Sequence, residues 1–182
     1  MSLTHKPFIK NLNLDEATAY FLAAGEKEYR GKQLFNWMYE RNVESFDEMT
    51  NFSKELRARL ASEFILAPLD LEERRVSNID GTEKFLFRTW DGHFIESVLL
   101  RNEGDDGGRL TVCISSQVGC AMKCSFCATA GIGYRRNLET GEIIDQLCQV
   151  RRMSGLRNNN IVFMGMGEPF LNYDNVLAAA DI

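Results

Sequence analysis

Histidine is scarce in this chain: His5 and His93 are the only two among 182 residues. Neither lies near a cysteine in sequence, so imidazole does not readily complete the four ligands of a closed zinc site. No apolar run reaches the roughly 20 residues that a membrane helix needs, and no membrane association is expected. Met1-Ser2-Leu3-Thr4-His5-Lys6 has a polar flank and lacks the apolar stretch of a signal peptide. The expectation is a cytoplasmic location, where thiols stay reduced. An odd total of five cysteines agrees with this. There is no internal repeat and no low-complexity tract; only Gly104-Asp105-Asp106-Gly107-Gly108 reads as a flexible loop. Basic excess is missing too. Lys and Arg number 21 against 26 Asp and Glu, a net charge of −5, whereas nucleic-acid binders usually carry a basic footprint. Local clusters remain at Arg135-Arg136, at Arg151-Arg152 with Arg157, and at Lys54, Arg57 and Arg59. Glu55 and Glu63 dilute the last, and such runs are usually solvated faces.

Against that background one run stands out. Cys120, Cys124 and Cys127 lie in Gly-Cys-Ala-Met-Lys-Cys-Ser-Phe-Cys-Ala-Thr, spaced C-x3-C-x2-C. A lone cysteine usually behaves as a small buried hydrophobe, but three so close together point to metal. A closed iron–sulfur cluster takes four thiolates, and a closed structural zinc site takes four ligands. Three leave one metal position open, and an open position is where chemistry occurs. An iron–sulfur cluster is favoured over zinc.

With 45% hydrophobic residues the chain can bury an ordinary core. Residues 1–72 read as a helical domain. Asp15 to Ala24 forms one helix that Gly25 can stop, Arg30 to Arg41 a second, and Ser53 can cap a third carrying Leu56, Leu60 and Phe64. Residues 73–108 read as an antiparallel β extension. Its strands are Arg74–Ser77, Glu83–Thr89 and His93–Leu100, with turns at Asp80-Gly81 and Asp91-Gly92. Beyond this, Leu110 to Ser115 reads as a buried strand, followed by the cysteine loop and Thr129-Ala130-Gly131-Ile132-Gly133. A helix over Glu139–Met153 places Ile143, Ile144, Leu147, Val150 and Cys148 toward its apolar side. Ile161–Met164 forms a second strand that runs into Gly165-Met166-Gly167-Glu168-Pro169. A last helix starts near Asn172, an N-cap residue. The fold class is α/β: a βαβα unit over 109–182 with parallel strands and functional loops at their C-terminal ends.

These motifs resemble the radical S-adenosylmethionine superfamily. Ser115-Ser116-Gln117-Val118-Gly119-Cys120, Arg136-Asn137-Leu138 and Phe163-Met164-Gly165-Met166-Gly167-Glu168-Pro169 are similar to the dual-specificity RNA methyltransferases of that superfamily. So are Tyr29-Arg30-Gly31-Lys32-Gln33-Leu34-Phe35 and Phe46-Asp47-Glu48-Met49-Thr50. The resemblance implies a partial (β/α) barrel and a 4Fe–4S cluster on Cys120, Cys124 and Cys127. S-adenosylmethionine would chelate the fourth iron and be cleaved to a 5′-deoxyadenosyl radical. It also implies methylation of adenine carbon 2 in 23S ribosomal RNA and transfer RNA, and an electron donor such as flavodoxin. The helical domain would contact RNA. Pro169 favours carbon 2 over the related carbon 8 enzymes.

By the same resemblance, Gly167 and Glu168 contact the amino group of S-adenosylmethionine, Glu96 accepts a proton, and Cys113 resolves a covalent protein–RNA adduct. On the residues alone, Glu168 reads alternatively as a solvated loop carboxylate or helix-start charge, Glu96 could equally be a solvent-facing strand residue, and a cysteine placed like Cys113 in an apolar strand is usually core. Cys148 matches no functional position and reads as packing. Arg135 and Arg136 are candidates for RNA contact at the mouth of the site. The family also uses a methylated cysteine near its C-terminus, and no cysteine follows Cys148. A full (β/α)8 barrel takes about 250 residues. The expectation is therefore an N-terminal fragment of such an enzyme, inactive alone, with strand 161–164 presenting an apolar edge. The alternative is a non-catalytic metal-binding or RNA-binding module.

Overall fold

The computed structural model describes residues 5–102, 109–155 and 160–182. The glycine-rich run Gly104–Gly108 and Arg157 lie outside the described residues.

The N-terminal third is helical. Helix α1 (Leu14–Ala23) opens with a full capping box, in which Asn13 accepts from the Glu16 N–H and Glu16 reaches back to the Asn13 N–H. It ends at Gly25, whose φ of +78° is the left-handed conformation that suits glycine. Helix α2 (Tyr29–Phe35) covers only the first half of the expected second helix. From Asn36 to Glu40 the chain widens into a π-helical turn, which brings both Trp37 and Met38 into the core. Trp37 Nε1 donates to Asn51 Oδ1 at 2.6 Å there, a tertiary partner that helical periodicity does not reveal. Helix α3 (Lys54–Glu63) is capped by Ser53, as expected. Phe21, Leu34, Met38, Met49, Phe52, Leu56 and Leu60 close a first core among these helices.

The chain then builds a sheet. Strand β1 (Leu69–Val76) begins five residues before the expected Arg74. The reason is again tertiary: Leu69 N–H donates to Asp145 Oδ2 at 3.2 Å, and Leu69 O accepts from Gln149 Nε2 at 2.5 Å. Strands β2 (Glu83–Thr89) and β3 (Phe94–Asn102) follow, joined by turns in which Gly81 and Gly92 take positive φ. Strand β4 (Arg109–Cys113) leads into a short ladder of β5 (Gln117–Val118) with β6 (Arg136–Asn137), which brackets the cysteine run. Helix α4 (Thr140–Ser154) and strand β7 (Asn160–Val162) follow, and α5 (Tyr173–Asp181) comes last.

The five-stranded order is β1-β2-β3-β4-β7, with β4 and β7 parallel and the other pairs antiparallel. The antiparallel strands are thus continuous with the parallel pair in one mixed α/β sheet. Side chains alternate across it. Phe85, Phe87, Ile95, Leu99 and Val112 are buried with Ile143 and Val150 of α4 in a second core. Glu96, Val98 and Cys113 point to the opposite face. Strand β7 is the outer strand of this order and ends at Val162, two residues before the expected Met164; Ile161 on it and Met164 beyond it are exposed. Among the described residues no helix is long and apolar enough to cross a membrane.

Polar contacts dock the helical third onto α4. Lys10 pairs with Asp145, both buried. Asn11 Oδ1 accepts from Gly141 N–H at 2.7 Å, Asn42 Nδ2 donates to Cys148 O at 2.7 Å, and Arg151 Nη1 donates to Tyr39 O at 2.6 Å. Arg152 pairs with Glu44. Arg151 and Arg152 therefore serve as internal fasteners, not as a free basic patch. Cys148 is buried beside them.

Candidate cofactor site

The cysteine loop is pinned at both ends. A Cβ on Gly119, whose φ is +75°, would lie 1.6 Å from Gly133 O, so only glycine lets the two ends touch. Arg135 N–H donates to Val118 O at 2.9 Å and Leu138 N–H to Ser116 O at 3.1 Å. Cys120 and Cys124 are partly exposed, Cys127 is exposed, and no disulfide joins them. The Cys127 thiol is pushed down by hydrogen bonds from the Thr129 N–H, then from the Thr129 hydroxyl, toward the thiolate that metals take. Three soft donors on one accessible loop fit an iron–sulfur cluster in type and number. Their positions are not closed around a centre: among the described residues no group of three His, Cys, Asp or Glu side chains is gathered to hold a metal.

The glycine loop after β7 packs on the root of the cysteine loop. Ser116 N–H donates to Met166 O at 2.8 Å, and Met166 N–H to Ser115 Oγ at 2.9 Å. Gly165 lies so close to Ile114 and Ser115 that a Cβ would meet their backbone at 2.7–2.8 Å. Glu168 is half-buried and accepts from Phe170 N–H at 3.1 Å, capping a single helical turn over Pro169–Asn172. The helix-start role open to Glu168 in the sequence is present here. Asn172 precedes α5, but its side chain does not cap it. Instead Asn172 Nδ2 donates to Ser116 O and Leu138 O, both at 2.8 Å.

Glu96 and Cys113 share the open face of the sheet. Val98 pairs directly with Cys113, and Glu96 sits two residues earlier on β3. Its backbone O accepts from Ser115 Oγ at 2.6 Å. The Glu96 carboxylate lies 2.5 Å from Lys84 Nζ. Burial pushes the Cys113 thiol up, which keeps it protonated at neutral pH. Glu96 also lines a cavity of about 660 Å³ with Lys84, His93, Thr129, Arg135 and Met166. The cavity thus joins the strand carrying Glu96 to the loop that follows Cys127.

Arg136 corrects the sequence expectation. It is not free for RNA: it forms bidentate hydrogen bonds with Asp91 (2.6 and 3.0 Å) and with Glu142 (2.7 and 2.9 Å) and lies over the Trp90 ring. Burial alone would raise the Asp91 carboxyl. Hydrogen bonds from Arg136 and Thr89 and the Arg136 charge outweigh it and hold that carboxyl well below the usual carboxylate range. Arg135 is exposed at the cavity.

Sequence reasoning missed Gln117, Asn137 and Gln146. Gln146 is fully buried on α4, accepting from Ser115 N–H and Ser97 Oγ at 2.8 Å each and donating to Ser115 O at 3.0 Å. Only Gln146 carried an available signal, an amide between Ile143, Ile144 and Leu147 of an apolar helix stretch, since buried polar groups are almost always hydrogen-bonded; Gln117 and Asn137 lie among polar neighbours.

Residues 9–66 match the family described as ribosomal RNA large subunit methyltransferase N-terminal domain. The chain is 50% identical over 174 residues to the probable dual-specificity RNA methyltransferase RlmN of Lachnoclostridium phytofermentans, covering 96% of this chain and 48% of that protein. It is 48% identical over 174 residues to dual-specificity RNA methyltransferase RlmN of Geobacter sulfurreducens, covering 96% and 46%. In structure it is similar to a radical SAM methyltransferase from Sphaerobacter thermophilus, with a TM-score of 0.87 and 43% identity over 97% of this chain and 51% of that one. The chain spans about half the length of the curated relatives it matches.

Proposed function

We propose, from the premise that this chain matches the N-terminal half of the RlmN methyltransferases, that it carries the cofactor-binding half of a radical S-adenosylmethionine RNA methyltransferase. The observation that carries this reading is the gathering of the cysteine loop, the glycine loop, Glu96 and Cys113 on one sheet and its loops. On this reading Cys120, Cys124 and Cys127 hold a 4Fe–4S cluster, and residues 109–182 form the first part of a (β/α) barrel. The bound cluster with S-adenosylmethionine supplies one-electron cleavage of the sulfonium, and so a carbon radical. The protein's own part is placement. The Glu168 carboxylate offers charge-assisted acceptors to the amino group of S-adenosylmethionine. Glu96, on the cavity wall, takes the proton from the reacting adenine, while Lys84 holds one of its oxygens. Cys113 on the same face, kept as a thiol by burial, releases the RNA adduct. The substrate is adenine carbon 2 of 23S ribosomal RNA and transfer RNA, the electron donor is a flavodoxin-like protein, and the compartment is the cytoplasm. Arg135, exposed at the cavity, is the residue we assign to the RNA backbone.

The test is anaerobic reconstitution with iron and sulfide, followed by EPR of the reduced protein with and without S-adenosylmethionine. A 4Fe–4S signal that changes on adding the cofactor supports the reading. It should be lost in Cys124→Ser and kept in Cys148→Ala. Zinc without labile sulfide, or a cluster indifferent to S-adenosylmethionine, would refute it and favour a non-catalytic module.

A further inference from the structure

Three amide side chains join the roots of the two loops. Gln117 Oε1 accepts from Glu168 N–H at 2.9 Å, and Gln117 Nε2 donates to Asn137 Oδ1 at 2.8 Å. Asn137 Nδ2 donates to Leu171 O at 3.0 Å. Asn172 reaches back to Ser116 O and Leu138 O. Gln117 and Asn172 are 1% and 3% exposed, so water does not readily replace these partners. The contact is tight as well as polar. Gly167, with φ +106°, lies where a Cβ would be 2.7 Å from Gln117 N, Cβ and Cγ. Gln117 and Asn137 sit on either side of the cysteine run and pair across the β5–β6 ladder. Each amide thus holds one segment of the cysteine loop and one of the glycine loop at once.

We propose that Gln117, Asn137 and Asn172 form an amide clamp that sets the glycine loop, and with it Glu168, against the cysteine loop. They are positioning residues for the S-adenosylmethionine site, and this assignment rests on the functional reading above. Glu168 N–H is held by Gln117, so the clamp acts on the very residue assigned to the cofactor amino group. Because the same glutamine also holds Asn137, a shift in either loop is transmitted to the other. Most bulky side chains between Cys120 and Ile132 are exposed, among them Met122, Phe126 and Ile132, so the loop's position is set largely at its roots.

Two measurements on the 182-residue chain decide this. The first is amide hydrogen exchange in wild type, Gln117→Met, Gln117→Glu and Asn172→Ser, which needs no cofactor. Gln117→Met breaks two hydrogen bonds and should speed exchange by at least about tenfold, the net worth of one of them, at Glu168 and across residues 118–136 together. Exchange in α1–α3 should not change. Gln117→Glu keeps an acceptor for Glu168 N–H but loses the donor to Asn137 Oδ1, so it should preserve protection at Glu168 while residues 118–136 loosen. Asn172→Ser should loosen both loops without touching Gln117, and covers the case in which Gln117→Met fails to fold. In Gln117→Met and Asn172→Ser, loosening confined to one loop, or wild-type exchange in both, overturns the clamp. The second measurement is the S-adenosylmethionine concentration that half-saturates the EPR change at equal iron content. It should rise about tenfold in Gln117→Met and by less in Gln117→Glu, which keeps the acceptor for Glu168 N–H. An unchanged value in a variant whose exchange is loosened overturns the positioning role. Failure of the wild type to take up iron overturns the cofactor reading instead, and exchange still decides the clamp.

Discussion

Replacing Lys10 with methionine should destabilise the chain by about 3 kcal/mol, the lower end of the cost of breaking a buried ion pair. Lys10 and Asp145 side chains are 1% and 0% exposed. Removing the ammonium leaves a buried carboxylate without its ion-pair partner. The lower end applies because Asp145 Oδ2 keeps the Leu69 N–H at 3.2 Å and Gln149 Nε2 at 2.9 Å. Methionine fills the lysine stem's volume, so little cavity is created. Burial by itself would lower the Lys10 pKa, but the Asp145 charge and hydrogen bond outweigh it and the value is raised. A raised folded value means the stabilisation is fully present below the ordinary lysine pKa and is lost as pH rises through the folded one. The contribution of the intact pair to wild-type stability should therefore be constant from about pH 6 to 9. Urea denaturation at pH 7, followed by far-UV circular dichroism, gives the value from the midpoint at unchanged slope. Asp145→Asn added to Lys10→Met removes the stranded charge while keeping an acceptor, and should recover all but about 1 kcal/mol. A single-variant loss below about 1 kcal/mol, or no recovery in the double variant, would refute the reasoning. The pair matters for the site because Asp145 and Gln146 are neighbours on α4. The first holds the helical third and β1, and the second holds Ser97 and Ser115.

Two further outcomes follow from the loop and its anchors. Asp91 has a depressed carboxyl, so its contribution is present above the usual Asp value of about 3.9 and is lost as pH falls below it. Wild type should lose stability more steeply than Asp91→Asn between about pH 5 and 2.5; parallel acid-denaturation curves would contradict the Arg136 latch. Gly119→Ala should cost more than about 1 kcal/mol and sharply reduce iron per chain after reconstitution, because its Cβ would overlap Gly133 O. Gly131→Ala, with open space around its Cβ and no positive φ, should reconstitute like wild type. Equal iron uptake in both would mean that the touching loop ends do not matter.

Local rules explain what could be read early. Asn13 and Glu16 form the capping box of α1 by spacing alone, Ser53 caps α3, and Gly81 and Gly92 turn the strands where a residue without Cβ is favoured. Each depends on partners within a few positions along the chain. The three thiols on one loop were legible for the same kind of reason, because their spacing is short; the parallel pairing of β4 with β7 followed from the strand–helix–strand order, whose crossover helix returns the chain in the same direction. Tertiary structure alone decided the rest. Leu69 joins the sheet because Asp145 and Gln149, some 76 and 80 positions away, satisfy its backbone groups. Arg136, one of a pair of adjacent arginines, is spent on Asp91 and Glu142, while Arg135 beside it stays exposed. Asn172 gives up its local cap to bridge Ser116 and Leu138. A buried polar group must find partners wherever packing brings them. Those partners are set by which segments meet in three dimensions, and no local spacing in the sequence carries that information.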